Sequence, residues 1–149
     1  MKLIIGNRAY SSWSMRGWLA LKHAGFEFEE LVVPMFDEAW EQRREGDEFA
    51  PSLGKVPILW DGECVVWDSL AIIEFLAERF GRELFWPEAV DARAMARSMA
   101  AEMHASFANL RRELPMNVRK SFAPRELSDG VTDDSRFCRR DGTEYPKRA

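Results

Sequence analysis

The segment that most constrains this chain is residues 53–69, LGKVPILWDGECVVWDS. Two short apolar runs, residues 56–60 and 63–67, flank Asp61-Gly62, and such a pair is the strongest short-range signal for a β-hairpin. Both residues of this turn are predicted to have positive φ. The segment therefore predicts two antiparallel strands joined by a tight turn.

A proline and a helix start stand on either side of this hairpin. Because Pro57 has no N–H to donate to a sheet, its strand is expected to begin or bulge there, and the bond from Val56 is a candidate for the cis isomer. Asp68 and Ser69 precede the apolar run LAIIEFLAERF, so they are predicted to begin a helix whose free N–H groups favour an anion. Together these features predict a compact site for a small anionic, peptide-like ligand.

Composition and charge limit the classes of function. The chain has 149 residues, of which 46% are hydrophobic and 31% charged, as is typical of one soluble domain, or of one domain and part of another. A net charge of −4 argues against nucleic acid or an anionic membrane as a partner. No apolar run has the length of a membrane span or of a signal-peptide core. Cys64 and Cys138 lack the spacing of a disulfide framework or a metal site, so we expect a cytoplasmic protein without a metal.

The order of the predicted elements favours an α/β fold. A strand, a helix and a second strand come first, at residues 2–6, 14–24 and 26–33. This βαβ order favours a parallel pair of strands. A short irregular helix at residues 37–44 and a loop at residues 46–52 lead into the hairpin and its helix. The resulting order, with a proline before a strand, predicts a thioredoxin-like layer.

The beginning of the first helix argues against redox chemistry. A thiol–disulfide enzyme of this fold needs a Cys-x-x-Cys pair there, because the helix N-terminus lowers the pKa of a thiol. This chain instead has Ser11, Ser12, Trp13 and Ser14 at that place. Hydroxyl groups stand where disulfide exchange would need sulfur.

The C-terminal part has a different pattern. Apolar residues recur at steps of three and four over residues 88–114, which predicts one long amphipathic helix that Pro115 ends. Residues 116–127 are predicted to begin another helix. Over residues 128–149 the periodicity is lost and charges are scattered, so this tail is predicted to be disordered.

Two segments carry a resemblance to a known family. The stretches YSSWSMRGWLALKHAG and LGKVPILWDGECVVWDSLAIIEFLAERF resemble the two signature segments of the glutathione transferase family. Ser-Ser-x-Ser-x-Arg before a helix and Asp-Ser-Leu-Ala-Ile-Ile are most similar to its serine-type, zeta-like bacterial branch. The resemblance covers residues 1–127.

This resemblance implies a domain organisation. Residues 1–82 are expected to be a thioredoxin-like, glutathione-binding domain, and residues 88–127 the first part of an all-helical domain. Family members continue through further helices that build the second-substrate pocket, so this chain is expected to be C-terminally truncated or frame-altered. In the family a second subunit packs against the long helix and the helix before it, which implies a homodimer.

The resemblance also implies how glutathione is held and activated. Ser11 or Ser12 donates a hydrogen bond to the glutathione sulfur and so lowers the pKa of the thiol, and both stay candidates because family members differ at these positions. The backbone of Val56 and Pro57 receives the cysteinyl part through strand-like hydrogen bonds. The alternative for the serines is a purely structural role in the loop and the helix cap.

Three further residues are implied at the two ends of glutathione. Asp68 pairs with the γ-glutamyl ammonium, while Ser69 and its helix N-terminus bind the adjacent α-carboxylate. Lys55 is placed to meet the glycyl carboxylate. The alternatives are an ordinary Asp-Ser helix cap and a solvated loop lysine.

The predicted function is that of a glutathione transferase, in which the activated thiol attacks a small electrophile. One alternative is a glutathione-dependent cis-trans isomerase of the zeta type, and another is a non-catalytic glutathione-binding or interaction protein. Arg16 and His104 are interpreted as structural, and Cys64 as inert.

Overall fold

A four-stranded mixed sheet forms the centre of the N-terminal part. The computed structural model describes residues 1–138. Its strands are β1 (Lys2–Ile5), β2 (Glu29–Val32), β3 (Ile58–Asp61) and β4 (Cys64–Trp67), in the order β2-β1-β3-β4. Strands β1 and β2 are parallel, whereas β3 is antiparallel to both β1 and β4. The predicted βαβ unit and the thioredoxin-like layer are thereby confirmed.

The helices of the described part are α1 (Ser12–His23), α2 (Trp40–Arg44), α3 (Ser69–Phe80), α4 (Val90–Ala105), α5 (Ala108–Glu113) and α6 (Asp129–Cys138). Two 3-10 turns, Ala50–Ser52 and Arg82–Leu84, complete the order. Helices α1 and α3 pack against each other. None of the described helices is both long enough and apolar enough to cross a membrane.

Side chains of β1 alternate between two apolar clusters, one on each side of the sheet. Leu3 and Ile5 point to the side covered by α1 and α3, where they pack with buried residues such as Leu21. Ile4 points to the other side and packs with Trp40 of α2. The sheet therefore has an apolar core on both faces, and the helices α1 and α3 are fixed relative to the strands.

The hairpin forms as predicted, but its turn differs in one respect. Asp61 pairs with Cys64, so the two residues of the turn are Gly62 and Glu63. Gly62 has a positive φ of 61°. Glu63, the second turn residue, does not, and neither does Asp61. A glycine in the first turn position is typical of type II′ hairpins rather than of the predicted Asp-Gly type. Strand β3 begins directly after the Val56–Pro57 bond, which is cis.

The single long helix predicted over residues 88–114 is wrong, because the structure divides it into α4 and α5. Phe107 leaves helical geometry, with a left-handed φ of 66°, and its side chain is 8% exposed. Arg111 Nε donates to the carbonyl oxygen of Ser106 at 3.0 Å, and its Nη2 donates to that of Met103. The break between α4 and α5 is favoured because it buries the Phe107 ring and lets Arg111 bind carbonyl groups at the end of α4. The spacing of apolar residues in the sequence shows neither effect.

The predictions beyond Pro115 are also corrected. Residues 116–127 form an irregular segment rather than a helix, and α6 lies inside the tail that was predicted to be disordered. The Val131 side chain is fully buried, and an Asp134 carboxylate oxygen accepts from the backbone N–H of Leu110 at 2.9 Å. One apolar anchor and one carboxylate thus hold α6 on α5. Residues 139–149 of the predicted tail lie outside the described residues.

Helix α4 presents a methionine-rich surface. Met95, Met99 and Met103 are 38%, 49% and 47% exposed. Such a surface suits the packing of a second copy, and the homodimer stays a prediction. The domain limits at residues 82, 88 and 127 stay predictions as well.

The packing of α6 leads to a test of stability. Replacing Val131→Ala should lower the free energy of unfolding by about 1–3 kcal/mol, because it removes buried methyl groups and leaves a cavity. Val118→Ala is the matched control, since Val118 is 65% exposed. Chemical denaturation followed by circular dichroism measures both variants. Equal stability of the two would contradict the packing of α6 described above.

Candidate functional site

A cleft of about 630 Å³ lies where the beginnings of α1 and α3 meet the loop that precedes β3. Six of the seven predicted site residues line it, namely Ser11, Lys55, Val56, Pro57, Asp68 and Ser69. Ser12 lines an adjoining cavity of about 370 Å³ instead. The two spaces adjoin each other, because four residues line both of them: Ser11, Trp13, Met35 and Phe36.

Ser11 is the N-cap of α1 and is 8% exposed. Its Oγ accepts from the backbone N–H of Ser14 at 3.3 Å, and its carbonyl oxygen accepts from that of Met15 at 3.0 Å. The hydroxyl oxygens of Ser11 and Ser14 lie 2.9 Å apart, and Ser14 Oγ accepts from the backbone N–H of Gly6 at 2.9 Å. Ser11 therefore has the structural role of a cap and also borders the cleft.

Ser12 has a different environment. It is the first residue of α1 and is partly exposed, and its hydroxyl has no hydrogen-bond partner within residues 1–138. The backbone N–H groups of Ser12 and Trp13 likewise have no acceptor in the described part of the chain. These free N–H groups make the beginning of α1 electropositive.

The backbone of Val56 is unpaired within the described residues. Neither its N–H nor its carbonyl oxygen has a hydrogen-bond partner there, although β3 begins two residues later. Val56 belongs to the wall of the cleft. An extended peptide backbone in the cleft would find a donor and an acceptor at this position.

Asp68 caps α3 and also contacts α4. Its Oδ1 accepts from the backbone N–H groups of Leu70 at 2.8 Å and of Ala71 at 3.4 Å. Its Oδ2 lies 3.2 Å from Nε2 of His104. The side chain keeps 41% of its surface exposed, so the carboxylate stays accessible from the cleft.

Ser69, the first residue of α3, is 1% exposed, and its Oγ has no hydrogen-bond partner among the described residues. Buried polar atoms are rarely left without a partner. A hydroxyl in this condition at a helix N-terminus is suited to an anionic oxygen. The residue that was predicted to bind a carboxylate thus has a hydroxyl group without a hydrogen-bond partner in the described part of the chain.

A second wall of the cleft carries positive charge. The Lys55 ammonium makes no hydrogen bond or ion pair with residues 1–138, and Arg44, at the end of α2, lines the same cleft. The Arg44 guanidinium is 3.4 Å from the Glu41 carboxylate, a contact between exposed groups. Arg44 was missed in the sequence, because an irregular segment separates α2 from β3 and hides their proximity.

Trp13 is the centre of a cluster that sequence reasoning did not find. The Arg16 and Arg111 guanidinium carbons lie 4.4 and 4.9 Å from the centre of its ring, and the His104 ring meets it edge-on at 5.0 Å. Burial lowers the pKa of Arg16, and the charge of Arg111 lowers it further, while Asp68 raises it. His104 of α4 and Arg111 of α5 therefore connect their helices to Trp13 of α1 next to the cleft. Arg16 instead stacks on Trp13 within α1 itself.

Two exposed apolar side chains also border the cleft. Phe36 and Leu53 are 79% and 81% exposed and have positive φ angles of 66° and 53°. Side chains with a Cβ rarely adopt this conformation, so no propensity argument identifies such positions. Phe36 lines the adjoining cavity as well.

Comparison with known proteins agrees with this geometry. Residues 10–79 match the family described as glutathione S-transferase, N-terminal domain. A dichloromethane dehalogenase of Methylorubrum extorquens is 43% identical over 53 residues, which are 36% of this chain and 18% of that protein. Glutathione S-transferase 1 of Dianthus caryophyllus is 32% identical over 100 residues, 63% of this chain and 42% of the relative.

Solved structures extend the comparison to the helical part. A maleyl pyruvate isomerase, a bacterial zeta-class glutathione S-transferase, shares 28% identity and a TM-score of 0.60 over 76% of this chain and 51% of its own. A glutathione-bound theta-class enzyme from Xanthomonas axonopodis pv. citri has the same fold, with a TM-score of 0.64 over 91% and 66%. The chain spans less than half the length of the two curated relatives and about half of the zeta-class structure. Residues 10–79 therefore form a domain of the glutathione S-transferase N-terminal type, and the chain shares the fold of these glutathione S-transferases.

Proposed function

We propose that this chain binds glutathione in the cleft and activates its thiol at Ser11 for reaction with a small electrophile. The observation that carries the proposal is the convergence, in one cleft, of groups that complement each part of glutathione. Glutathione has an ammonium and a carboxylate at its γ-glutamyl end, a thiol in its middle and a second carboxylate at its glycyl end. A cleft that served only core packing would have no reason to leave so many polar groups unpaired.

The γ-glutamyl end is assigned to Asp68 and Ser69. The Asp68 carboxylate is accessible and already fixed by its capping bonds, so it can pair with the ammonium without losing rotamer freedom. The unpaired Ser69 hydroxyl and the N-terminus of α3 complement the neighbouring α-carboxylate. Both charges at this end thus have a partner of opposite sign.

The middle and the glycyl end of glutathione are assigned to residues of the cleft lining that lie before β3 and at the end of α2. The unpaired backbone of Val56 next to Pro57 can pair with the cysteinyl backbone as a short strand. Lys55 and Arg44 provide positive charge for the glycyl carboxylate. We assign Lys55 to this role as predicted, and add Arg44 to it.

Ser11 is the better candidate for thiol activation, because it borders both the cleft and the adjoining cavity. A free thiol has a pKa of about 8.5, so only a few per cent is thiolate at neutral pH. A hydroxyl that donates to the sulfur, near the electropositive start of α1, stabilises the charged form and lowers that pKa. Ser12 borders the adjoining cavity only, which favours it less.

The adjoining cavity is suited to the electrophile. Aromatic and apolar side chains such as Tyr10, Phe36 and Leu110 line it, and Arg111 is the one charged side chain among them. The Arg111 guanidinium donates to the backbone carbonyl oxygens of Ser106 and Met103, which are neutral acceptors and leave its positive charge uncancelled. An electrophile with an apolar body and an anionic group is the substrate class that such a lining favours.

The same guanidinium supports a second candidate function. A glutathione-dependent isomerase adds the thiolate reversibly to an activated double bond, and the zeta-class relative is a maleyl pyruvate isomerase. The remaining N–H groups and the positive charge of Arg111 would hold the carboxylate of such an unsaturated acid. Thiolate formation is common to conjugation and isomerisation, and its absence would leave the non-catalytic binding protein.

The role of Asp68 can be tested without losing the helix cap. Asp68→Asn should weaken glutathione binding by about 1.5–3 kcal/mol, because it removes the charge while asparagine still caps the helix. Asp61→Asn is the control, since Asp61 pairs with Arg79 outside the cleft. Isothermal titration calorimetry measures both, and circular dichroism verifies the fold. Affinities equal to that of the parent in both variants would rule out this assignment.

Thiol activation is tested by the ultraviolet absorbance of bound thiolate as a function of pH. Ser11→Ala should raise the pKa of the bound thiol by about one pH unit or more, equivalent to about 1.4 kcal/mol and a tenfold slower reaction. Ser12→Ala should have the smaller effect. The reverse order would assign the role to Ser12, and an unchanged pKa in the double variant would remove the mechanism.

The substrate class is tested with two nitro-substituted chloroarenes, one with a carboxylate and one neutral. Arg111→Gln should lower kcat/KM for the anionic compound about tenfold relative to the neutral one, since about 1.4 kcal/mol of charged pairing is lost. Arg111→Lys should keep most of the preference. Arg112→Gln is the matched control, because the neighbouring Arg112 binds Asn109 and does not line the cavity. Equal losses for both compounds would contradict the assignment.

A further inference from the structure

The buried hydroxyl of Ser14 has no part in the function proposed above. Ser14 is 0% exposed and lies one helical turn after Ser11, on the same face of α1. Its Oγ accepts from the backbone N–H of Gly6 at 2.9 Å and lies 2.9 Å from Ser11 Oγ. The end of β1, the beginning of α1 and the cleft are therefore joined through two hydroxyl groups.

Counting protons determines the direction of the bond between these hydroxyls. If Ser11 donated to Ser14, the hydroxyl proton of Ser14 would be buried without an acceptor, because Ser14 has no further hydrogen bond in residues 1–138. If Ser14 instead donates to Ser11, the hydroxyl oxygen, the hydroxyl proton and the backbone N–H of Ser14 all have partners. Buried donors without acceptors are strongly disfavoured, so the second arrangement is preferred.

This direction has a consequence for Ser11. Its Oγ then accepts two hydrogen bonds, from the hydroxyl and from the backbone N–H of Ser14. With these acceptor positions filled, its own proton has no partner within residues 1–138 and is free to point into the cleft. A hydroxyl that accepts hydrogen bonds is also a stronger donor, since successive bonds polarise one another.

We propose that Ser14 is a positioning residue for thiol activation, which directs the Ser11 proton toward the glutathione sulfur through the chain Gly6 N–H, Ser14 O–H, Ser11 O–H. This inference rests on the proposed function, because it requires Ser11 to be the donor to the thiol. No proton leaves the chain, since each group only donates a hydrogen bond to the next. The Ser14 side chain is closed to bulk solvent, so water does not compete for these hydrogen bonds in the parent protein.

A cycle of variants tests the proposal by the pH dependence of thiolate absorbance with glutathione as the ligand. Ser14→Ala should raise the pKa of the bound thiol by about 0.5–1 pH unit, which is a three- to tenfold lower ratio of thiolate to thiol. The double variant of Ser11→Ala with Ser14→Ala should match Ser11→Ala, because Ser14 acts through Ser11. Ser14→Thr should restore most of the effect, since it returns the hydroxyl.

Controls separate positioning from loss of stability. Ala20→Gly loosens the same helix without touching the hydroxyls and should leave the pKa of the bound thiol unchanged. If Ser14→Ala does not fold, Ser14→Cys keeps the shape of the side chain with a weaker donor and should give an intermediate pKa.

Three outcomes would overturn the proposal. The first is that the pKa of the bound thiol in Ser14→Ala or Ser14→Cys equals that of the parent protein, while Ser11→Ala raises it. The second is additive effects in the double variant, which would mean that Ser14 acts by another route. The third is an equal rise in Ala20→Gly, which would mean that any loosening of the helix suffices. An unchanged pKa in Ser11→Ala would instead refute the proposed function itself, so the two failures are distinguishable.

Discussion

The beginnings of two helices meet at one cleft, and the side chains that cap these helices hold this arrangement in place. Ser11 fills one backbone donor at the start of α1, and Asp68 fills two at the start of α3. The backbone N–H groups of Ser12 and Trp13 have no acceptor in the described part of the chain, and Trp13 and Ser69 line the cleft beside the loop before β3. Backbone groups without partners are costly, so a fold that leaves several of them together is prepared for a ligand that supplies acceptors.

The caps also serve the proposed chemistry, and this double use limits how each residue can change. Alanine at position 68 would remove both a charge and a helix cap, whereas asparagine separates the two effects. In the proposed arrangement Ser11 is constrained more tightly, because its oxygen accepts from Ser14 while its proton is left for the cleft. Stability and reactivity therefore depend on different atoms of the same hydroxyl group.

Local signals in the sequence predicted the parts that local interactions decide. The hairpin, the proline before β3 and the two capped helices each depend on neighbouring residues, and six of the seven predicted site residues line one cleft. The break at Phe107 and the helix α6 depend on burial against distant parts of the chain, which periodicity does not contain. Arg44 and the cluster around Trp13 were missed for the same reason, since their neighbours in space are far away in sequence.

The Asp68 carboxylate connects the ligand cleft to the helical part, because its second oxygen lies 3.2 Å from His104 on α4. A ligand that draws this carboxylate toward an ammonium group competes with His104 for the same charge. Thermodynamic linkage makes this effect reciprocal. If ligand binding weakens the packing of α4 by a given free energy, the packed α4 weakens ligand binding by the same amount. Binding in the cleft and packing of α4 therefore affect each other's free energy equally, through the Asp68 side chain.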